Sequence, residues 1–252
     1  MPVGMDRIRV AVIGAAGRMG RQVCAAVTAA EDLELGPRLD VGDPVDDVAA
    51  ADVAVVFSVP DVVLEHALAC VRNGVHAVVG TTGWTPERLD TLRAALDDAP
   101  GIGVLAAPNF ALGAMLLMKF AAMAAPHYES VEVIELHHPD KVDAPSGTAR
   151  HTAELIAAAR QAAGSAPIPD ATTTSLEGAR GALVDGVRVH AVRLRGLLAH
   201  EEVLLGGPGE QLTLRHDTFD RASFMPGVLL GVREVASHPG LTVGLDSYLA
   251  LD

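Results

Sequence analysis

Short apolar runs alternate with segments of helical periodicity over the first hundred residues of the chain. The predicted strands span residues 7–13, 33–39, 52–57, 75–79 and 102–106. The predicted helices span residues 18–29, 61–72 and 86–96. Because these elements follow the order β-α-β-β-α-β-α-β, the pattern predicts a mostly parallel sheet with helices on both faces.

The pattern changes after Asn109. The predicted helices here span residues 112–125 and 146–163, and the predicted strands span residues 131–136, 187–195, 201–205 and 211–215. Ser146 is the expected N-cap of the second helix. Gly206-Gly207-Pro208-Gly209 separates the last two strands as a hairpin, which predicts an antiparallel sheet on a different plan.

This change predicts two domains. The first comprises residues 1–109 and 222–252, because the helix predicted at 223–236 returns to the first sheet. The second comprises residues 110–221. The predicted fold class is therefore α/β, with a Rossmann-like N-terminal domain and an α+β second domain that contains an open mixed sheet.

The composition narrows the classes of partner. Of the 252 residues, 50% are hydrophobic and 20% are charged, which is typical of a globular protein. The formal net charge of −13 disfavours a nucleic-acid or anionic-membrane partner, since both bind clustered Lys and Arg. An anionic substrate would then need a local positive site.

The sequence predicts a cytoplasmic protein without a membrane segment. The first residues, MPVGMDRIRV, lack the apolar region of a signal peptide, and no apolar run reaches the roughly 18 residues of a membrane span. Cys24 and Cys70 lie in apolar helical patterns, as small buried hydrophobic residues do. Neither a disulfide nor a metal site is predicted from them.

A glycine-rich turn joins the first predicted strand to the first predicted helix. Its residues are Gly14, Ala15, Ala16, Gly17, Arg18, Met19 and Gly20. Glycine lets the backbone approach a pyrophosphate, to which the helix start offers N–H groups and a positive dipole end. Asp40 lies 20 residues past Gly20, where an acid usually holds the adenosine ribose. Such a turn alone can be ordinary, but the whole pattern predicts a dinucleotide-binding domain.

The predicted cofactor is NADH or NADPH. The Asp40 carboxylate favours an unphosphorylated ribose, because it would repel a 2′-phosphate. Arg18 and Arg38 are nearby cations that could offset this repulsion, although Arg38 could equally be an ordinary solvated residue. We expect NADH to be preferred and NADPH to be tolerated.

Two further loops follow the fourth and fifth predicted strands. They contain Gly80-Thr81-Thr82-Gly83 and Ala107-Pro108-Asn109-Phe110. Open α/β sheets bind ligands at the carboxyl ends of their strands, so these loops could position a nicotinamide ring. Both could also be ordinary strand-to-helix loops.

The densest set of reactive groups lies between His137 and Thr148, in the run H-H-P-D-K-V-D-A-P-S-G-T. The Ser146-Gly147-Thr148 amides can cradle a carboxylate, and Lys141 adds a positive charge beside them. Imidazole titrates near neutral pH, so His137 could deliver a proton. The same groups could instead be surface polar residues, with Asp140 paired to Lys141 and an ordinary helix cap.

This run closely resembles the signature of the dihydrodipicolinate reductase family, H-H-x-x-K-x-D-A-P-S-G-T. The resemblance covers nearly the whole chain and includes the glycine loop, residues 80–83 with Trp84, residues 107–110 and residues 221–227. Order and spacing are most similar to the shorter actinobacterial members. The chain departs from the pattern at Asp140, where His is more frequent, and at Trp84, where Phe is usual. A carboxylate beside Lys141 favours its ammonium form.

The resemblance implies an activity. The enzymes of this family reduce 4-hydroxy-tetrahydrodipicolinate (dihydrodipicolinate), a small cyclic dicarboxylate, to tetrahydrodipicolinate in lysine and diaminopimelate biosynthesis. Hydride passes from NADH or NADPH to a ring carbon, and a proton passes to the neighbouring carbon. His137 matches the family's acid/base residue and Lys141 its proton donor.

The remaining matches imply the binding residues. The substrate-binding positions match His138, Gly147 and Thr148, and Arg221 is expected to assist near the domain hinge. The cofactor-binding positions match Gly14, Ala15, Ala16, Gly17, Arg18, Met19, Asp40, Gly80, Thr81, Thr82, Ala107, Pro108, Asn109 and Phe110. The resemblance also implies a homotetramer, formed through the sheet of a substrate-binding and tetramerisation domain.

Two other functions stay open from the sequence. One is a different nicotinamide oxidoreductase on the same plan, such as an aspartate dehydrogenase-like enzyme, which the S-G-T helix start after H-H-x-x-K disfavours. The other is a non-enzymatic cofactor sensor with a protein or nucleic-acid partner. The acidic balance and the lack of a basic stripe disfavour nucleic acid.

Overall fold

The computed structural model describes residues 7–249. The prediction about a signal peptide falls partly on residues 1–6, which lie outside the described residues, as do residues 250–252. The chain divides into two compact units, one running to Ala111 and resuming at Arg221, and the other comprising Leu112–Asp220. Within residues 7–249, the helices are too short or too polar to cross a membrane.

The first unit contains a six-stranded parallel sheet. Its strands are β1 (Ile8–Ile13), β2 (Leu33–Leu39), β3 (Val53–Val56), β4 (His76–Val79), β5 (Gly103–Ala106) and, after the second unit, β11 (Gly240–Val243). Their order is β11-β5-β4-β3-β1-β2, and every neighbouring pair is parallel. All residues of β3 and β5 are buried, which explains why these strands are uniformly apolar rather than alternating. The predicted parallel sheet is confirmed.

Four helices pack against this sheet. They are α1 (Arg18–Ala29), α2 (Val63–Arg72), α3 (Pro86–Asp97) and α6 (Met225–Glu234). Helices α1 and α6 contact each other on one face, and α2 and α3 contact each other on the other. Both faces are therefore covered, as the alternation of strands and helices predicts.

Strand β11 is absent from the predicted elements. It is only four residues long, Gly-Leu-Thr-Val, and such a run shows no usable periodicity. Helix α6 brings the chain back to the first sheet, and two glycines let it approach closely. A Cβ at Gly227 would lie 2.1 Å from the carbonyl oxygen of Phe110, and one at Gly231 would lie 2.9 Å from the Leu105 side chain.

The second unit contains a five-stranded mixed sheet covered on one face by two helices. Its strands are β6 (Ser130–His137), β7 (Ala182–Val184), β8 (Val187–Arg193), β9 (Ala199–Gly207) and β10 (Glu210–Thr218), in the order β10-β9-β6-β8-β7. Its helices are α4 (Leu112–Ala124) and α5 (Gly147–Ala162). Alternate strand residues such as Val131, Val133 and Val203 pack against Ala153 and Ile156 of α5.

The open mixed sheet is confirmed, but the antiparallel arrangement is wrong for one pair of strands. Strands β6 and β8 pair in parallel, because the chain crosses between them through α5. Strand β7 is also absent from the predicted elements, since three residues are too few to show a period. It pairs with β8 through a two-residue turn, Asp185-Gly186, in which both φ angles are positive (46° and 89°). The predicted hairpin between β9 and β10 is present.

Candidate functional site

The glycine-rich loop runs from the end of β1 into α1. Gly14 has a φ angle of +81°, and a Cβ there would lie 2.2 Å from the Phe57 carbonyl oxygen. A Cβ at Gly20 would lie 2.0 Å from the Gly14 carbonyl oxygen. Gly14 therefore needs glycine for its conformation and its neighbours, and Gly20 lets α1 pack directly on the loop.

The start of α1 has no side-chain cap. Its N-cap residue is Gly17, which has no side chain to accept a hydrogen bond from the first turn. A helix start presents unpaired N–H groups and the positive end of the helix dipole. This start therefore fits an anion such as a pyrophosphate.

A cavity of about 680 Å³ adjoins the loop. The predicted cofactor residues that line it are Gly14, Gly17, Arg18, Met19, Asp40, Gly80, Thr81 and Thr82. Ala15 and Ala16 belong to the loop but are not among the described lining residues. Phe57, Ser58 and His66 also line the cavity and are absent from the predicted site. A cleft of this size, beside an uncapped helix start, fits a dinucleotide.

Asp40 directly follows β2 and is hydrogen-bonded to the glycine loop. Its carboxylate accepts hydrogen bonds from the Ala16 amide at 2.7 Å and the Val41 amide at 2.9 Å. The hydrogen bonds from Val41 and then Ala16 lower the pKa of Asp40. At neutral pH a fixed negative charge therefore stands at the edge of the cavity.

The two cations considered for a 2′-phosphate lie in different places. Arg18 is exposed and lines the 680 Å³ cavity. Arg38 lines a neighbouring cavity of about 540 Å³ together with Asp46 and Asp47. Arg38 therefore lies beside acidic residues and is not among the residues that line the larger cavity, although the two cavities share Leu39 and Asp43.

Phe57 connects the two loops predicted to face a nicotinamide. A Cβ at Gly80 would lie 2.1 Å from the Phe57 ring, so glycine is needed for this contact. The ring of Phe110 lies edge-on to Phe57, with centroids 6.0 Å apart. The Thr81 hydroxyl accepts a hydrogen bond from the Ser58 amide at 2.8 Å. An aromatic residue directly after the apolar run of β3 is the only sequence signal that could have found Phe57.

The loop after β5 lies behind these contacts. Ala107 and Phe110 are buried, Pro108 is exposed, and the Asn109 side chain accepts a backbone amide two residues further on at 2.9 Å. These four predicted cofactor residues are not among the described residues that line the cavity. Phe110 connects this loop to the cavity by packing on Phe57, which lines it.

A buried carboxylate organises the strand end in the second unit. Glu135 of β6 is fully buried and accepts hydrogen bonds at 2.7 Å from both terminal nitrogens of Arg193 on β8. It also contacts Nδ1 of His137 at 2.7 Å and accepts the Ser146 amide at 3.0 Å. Burial raises the pKa of Glu135, but His137 and Arg193 outweigh burial and hold this pKa at about 2. Glu135 is therefore an anion at neutral pH.

The Glu135 contact orients His137. The His137 side chain is only 14% exposed, and its Nδ1 faces the carboxylate. Nε2 is then the ring nitrogen left for a proton transfer, because the partner of one ring nitrogen fixes the role of the other. Arg193 is missing from the predicted site, since only the parallel pairing of β6 and β8 brings it to Glu135.

Lys141 is paired with Asp143 and not with Asp140. Its Nζ lies 2.7 Å from Asp143 Oδ1, and the Lys141 side chain is 22% exposed. Asp140 is exposed, and no ion pair between it and Lys141 occurs in the described chain. Burial raises the pKa of Asp143, but the hydrogen bond and charge of Lys141, together with backbone hydrogen bonds, outweigh burial and lower this pKa. The alternative in which Asp140 pairs with Lys141 is therefore wrong.

The start of α5 is partly occupied by the protein's own groups. The Ser146 hydroxyl accepts the Ala149 amide at 3.2 Å, which confirms Ser146 as the N-cap. Glu135 takes the Ser146 amide, and Asp143 receives a hydrogen bond from Gly147. Two members of the predicted cradle of three amides therefore already serve carboxylates of the protein, Ser146 that of Glu135 and Gly147 that of Asp143.

The remaining predicted residues lie close by in sequence. His138 is half-buried, and its carbonyl oxygen accepts the Lys141 amide at 3.3 Å, which closes the turn after β6. Arg221 begins the short 3-10 helix Arg221–Phe224 before α6, within the first unit.

Two family models match the chain. The one described as "Dihydrodipicolinate reductase, N-terminus" matches residues 8–110, and the one described as "Dihydrodipicolinate reductase, C-terminus" matches residues 113–249. Together they cover nearly all of the chain.

Named relatives match over a similar length. A 4-hydroxy-tetrahydrodipicolinate reductase of Beutenbergia cavernae is 64% identical over 97% of this chain and 99% of its own. One of Streptomyces coelicolor is 62% identical over 98% of this chain and 100% of its own. The solved structure of a dipicolinate-bound dihydrodipicolinate reductase from Paenisporosarcina sp. TG-14 is similar, with a TM-score of 0.83 and 39% identity. The match covers 96% of this chain and 100% of that one.

Proposed function

The chain belongs to the dihydrodipicolinate reductase family, and we propose how its own residues carry out the family's reaction. The enzyme is an oxidoreductase that uses NAD(P)H to reduce 4-hydroxy-tetrahydrodipicolinate to tetrahydrodipicolinate, with the 4-hydroxyl group lost as water, in lysine and diaminopimelate biosynthesis. The observation that carries the proposed mechanism is the buried Glu135 carboxylate that orients His137. The relatives favour this activity over the other two functions that the sequence leaves open.

The first unit binds the cofactor, which supplies a hydride when bound. The amides at the start of α1 hold its pyrophosphate, because Gly17 leaves them without a side-chain cap. Gly14 and Gly20 allow the backbone to come close, and Asp40 accepts the ribose hydroxyls. Residues 80–82 and 107–110 complete this binding region.

The second unit binds the dicarboxylate substrate. Lys141 provides a positive charge in a chain whose net charge is −13. The first turn of α5, at Gly147 and Thr148, binds one substrate carboxylate through the dipole end and the backbone of the helix. His138 is the third substrate-binding residue in this proposal.

His137 and Lys141 supply the proton that accompanies the hydride. Glu135 fixes His137 through Nδ1, so Nε2 can give a proton to the ring carbon next to the one that receives hydride. Lys141 is an ammonium donor at the same strand end, oriented by Asp143. The Arg193 guanidinium balances the charge of Glu135, which keeps that carboxylate from taking the proton of His137.

Oxidation of NADH in the presence of freshly made substrate tests the activity. His137→Ala and Lys141→Ala should each lower kcat by about 100-fold or more, since general acid catalysis contributes 10²–10⁴-fold. The substrate KM should change less, because proton delivery belongs to the transition state. If both variants keep the wild-type kcat, the proposed proton donors are wrong.

We also propose that NADH is the preferred cofactor and that NADPH is tolerated. The ionised Asp40 at the cavity edge would repel a 2′-phosphate, and Arg38 lies among acidic residues outside the cavity. Asp40→Asn should therefore raise the kcat/KM ratio of NADPH to NADH by about tenfold, the equivalent of one 1.4 kcal/mol charge interaction. Arg38→Ala is the matched variant and should leave the ratio within twofold; a fall of tenfold would make Arg38 the phosphate ligand.

A homotetramer and a cytoplasmic location complete the proposal. The sheet face opposite α4 and α5 carries apolar side chains from three strands, namely Ile134, Leu136, Val192 and Leu204. Among the described residues of the second unit, no helix packs on that face. Cys24 and Cys70 are unpaired, as is usual in a reducing compartment. A solution mass of four times 26.1 kDa would support the tetramer, and a monomer would exclude it.

A further inference from the structure

A second buried carboxyl group lies beside Glu135. Glu201 of β9 is directly opposite Glu135 of β6 in the antiparallel register, and only 5% of it is exposed. On its other side it is opposite His216 of β10. The side chains of directly opposed residues share a face, here the face that α4 and α5 cover.

The contacts of Thr152 determine where a proton lies. The Thr152 hydroxyl is 2.5 Å from Glu201 Oε1 and 3.0 Å from the carbonyl oxygen of Thr148. A hydroxyl has one proton, and a backbone carbonyl can only accept. If each contact is a full hydrogen bond, rather than one proton shared between two acceptors, Thr152 donates to Thr148 and Glu201 donates to Thr152. This arrangement requires a protonated Glu201.

The charges around Glu201 also favour its protonated form. Burial raises the pKa of Glu201 to about 7. The nearby charge of Glu135 also raises this pKa, and the hydrogen bond of Thr152 lowers it by less than burial raises it. The cation of this cluster, Arg193, is already bound to both oxygens of Glu135. Two adjacent ionised carboxylates would repel each other in this interior.

We propose that Glu201 is a positioning residue: its acid proton is donated in a hydrogen bond to Thr152, whose own hydroxyl proton is donated to the Thr148 carbonyl, and this chain of hydrogen bonds fixes the first turn of α5 for substrate binding. This inference rests on the proposed substrate-binding role of Gly147 and Thr148. Ionisation of Glu201 removes its donated hydrogen bond and turns the Thr152 hydroxyl from Thr148 towards the new anion. The first turn of α5 then loses a hydrogen bond and gains a repulsive charge nearby.

The consequence is a pH-dependent substrate KM. The titratable groups facing Glu201 are Glu135 from β6 and His216 from β10, while α5 contributes Thr152, which does not titrate. Helix α4, which packs on β9 and β10, has Lys119 as its one ionisable residue. Of the two neighbours of Glu201 on β9, His200 contacts Asp217 and Glu202 pairs with Arg215. Of these groups, Glu135 holds the Ser146 amide at the start of α5, and Glu201 is joined to the Thr148 carbonyl through Thr152.

Steady-state kinetics of the wild type and of Glu201→Gln from pH 6 to 9 test the proposal. The amide of Gln can donate to Thr152 as the protonated acid does, but it cannot ionise. The wild-type substrate KM should rise at least fivefold between pH 6 and 8.5, and the KM of E201Q should stay within twofold. The KM for NADH, which binds to the other unit, is the internal control and should change alike in both proteins.

Thr152 provides a second variant if E201Q does not fold. Thr152→Val removes the hydroxyl at nearly constant volume, so its substrate KM should be raised at pH 6 and should rise less than that of the wild type between pH 6 and 8.5, because only the repulsion by ionised Glu201 remains. Thr152→Ser keeps the hydroxyl and should restore the wild-type profile.

Two results would overturn the inference: a KM of E201Q that rises with pH as in the wild type, or a T152V profile identical to the wild type. If His137→Ala still lowers kcat, these results leave the proposed proton donors intact. An unchanged kcat in His137→Ala would instead contradict the proposed proton donors without touching the role of Glu201.

Discussion

Helices α1 and α5 both begin just after a strand and its loop, and we propose that both starts bind an anionic ligand, yet they are built differently. Helix α1 starts at Gly17, which has no side chain to cap it. Helix α5 starts at Ser146, whose hydroxyl caps the first turn and whose amide is held by Glu135. The first start consists of backbone alone, and the second combines backbone with buried, paired side chains.

The difference follows from what each ligand has to do. A pyrophosphate only has to be held, and backbone amides hold it without titrating. The dicarboxylate substrate has to receive a proton, so its site needs side chains that gain and lose protons, His137 and Lys141, and charges such as Glu135 that orient them. The α1 site should therefore respond to steric changes, and the α5 site to pH and charge.

A steric change at α1 should have the largest effect. In Gly20→Ala the new Cβ would lie 2.0 Å from the Gly14 carbonyl oxygen, which forces the loop and α1 apart. We expect the Kd for NADH to rise about 100-fold, in line with the roughly 3 kcal/mol upper range of overpacking. Fluorescence titration of NADH measures this change.

Gly101→Ala is the matched control, because nothing lies within 4 Å of the added methyl group. Its Kd should stay within twofold of the wild type. An equal loss in both variants would mean that Gly20 matters for general stability rather than for the loop.

Removing the charge of Glu135, the β6 residue that holds the start of α5, should have the next largest effect, a loss of stability. The folded state lowers the pKa of Glu135 from 4.5 to about 2. A lowered pKa stabilises the fold above the unfolded-state value, and that stability is lost as the pH falls from about 4.5 through 2. At pH 7 Glu135→Gln should reduce the free energy of unfolding by about 3 kcal/mol. Urea unfolding at several pH values should show the difference shrinking between pH 4.5 and 2.

Glu154→Gln is the matched control for this measurement. Glu154 forms a surface pair with Arg150 on α5 and is 38% exposed, so its loss should cost under about 1 kcal/mol. A pH-independent difference for Glu135→Gln would contradict the assignment of Glu135 as a charged partner of Arg193 and His137.

The smallest effect should separate the two acids next to Lys141. Asp143→Asn removes the carboxylate 2.7 Å from Lys141 Nζ and should lower kcat/KM about tenfold, because hydrogen bonds to charged groups contribute about 1.5–3 kcal/mol. Asp140→Asn alters an exposed residue and should leave kcat/KM within twofold. The reverse order would restore Asp140 as the partner of Lys141.

The sequence predicts the fold well wherever its signal is local. Uniformly apolar runs predict the buried strands of the parallel sheet, and Ser146 predicts the start of α5. Strands β7 and β11 are too short to produce a period. The parallel pairing of β6 with β8 depends on a crossover through α5, which no local pattern encodes.

The residues of the candidate site likewise fall into those that a local motif predicts and those that only the fold brings together. Gly14, Gly20, His137 and Lys141 lie in short motifs, so the sequence singles them out. Arg193 lies 58 residues from Glu135 along the chain and meets it only in the folded sheet. Glu201 and Phe57 gain their significance from burial and from neighbours across strands, and a single sequence does not contain that information.

The first unit is assembled from two separate stretches of the chain, and this has a consequence during synthesis. Strand β11 completes the parallel sheet by pairing with β5, and Gly227 of α6 packs against the carbonyl of Phe110. A ribosome must therefore deliver residues 112–220 before the sheet can close. The second unit is continuous and can fold as soon as it emerges. The half of the enzyme that is translated first is thus the half that is finished last.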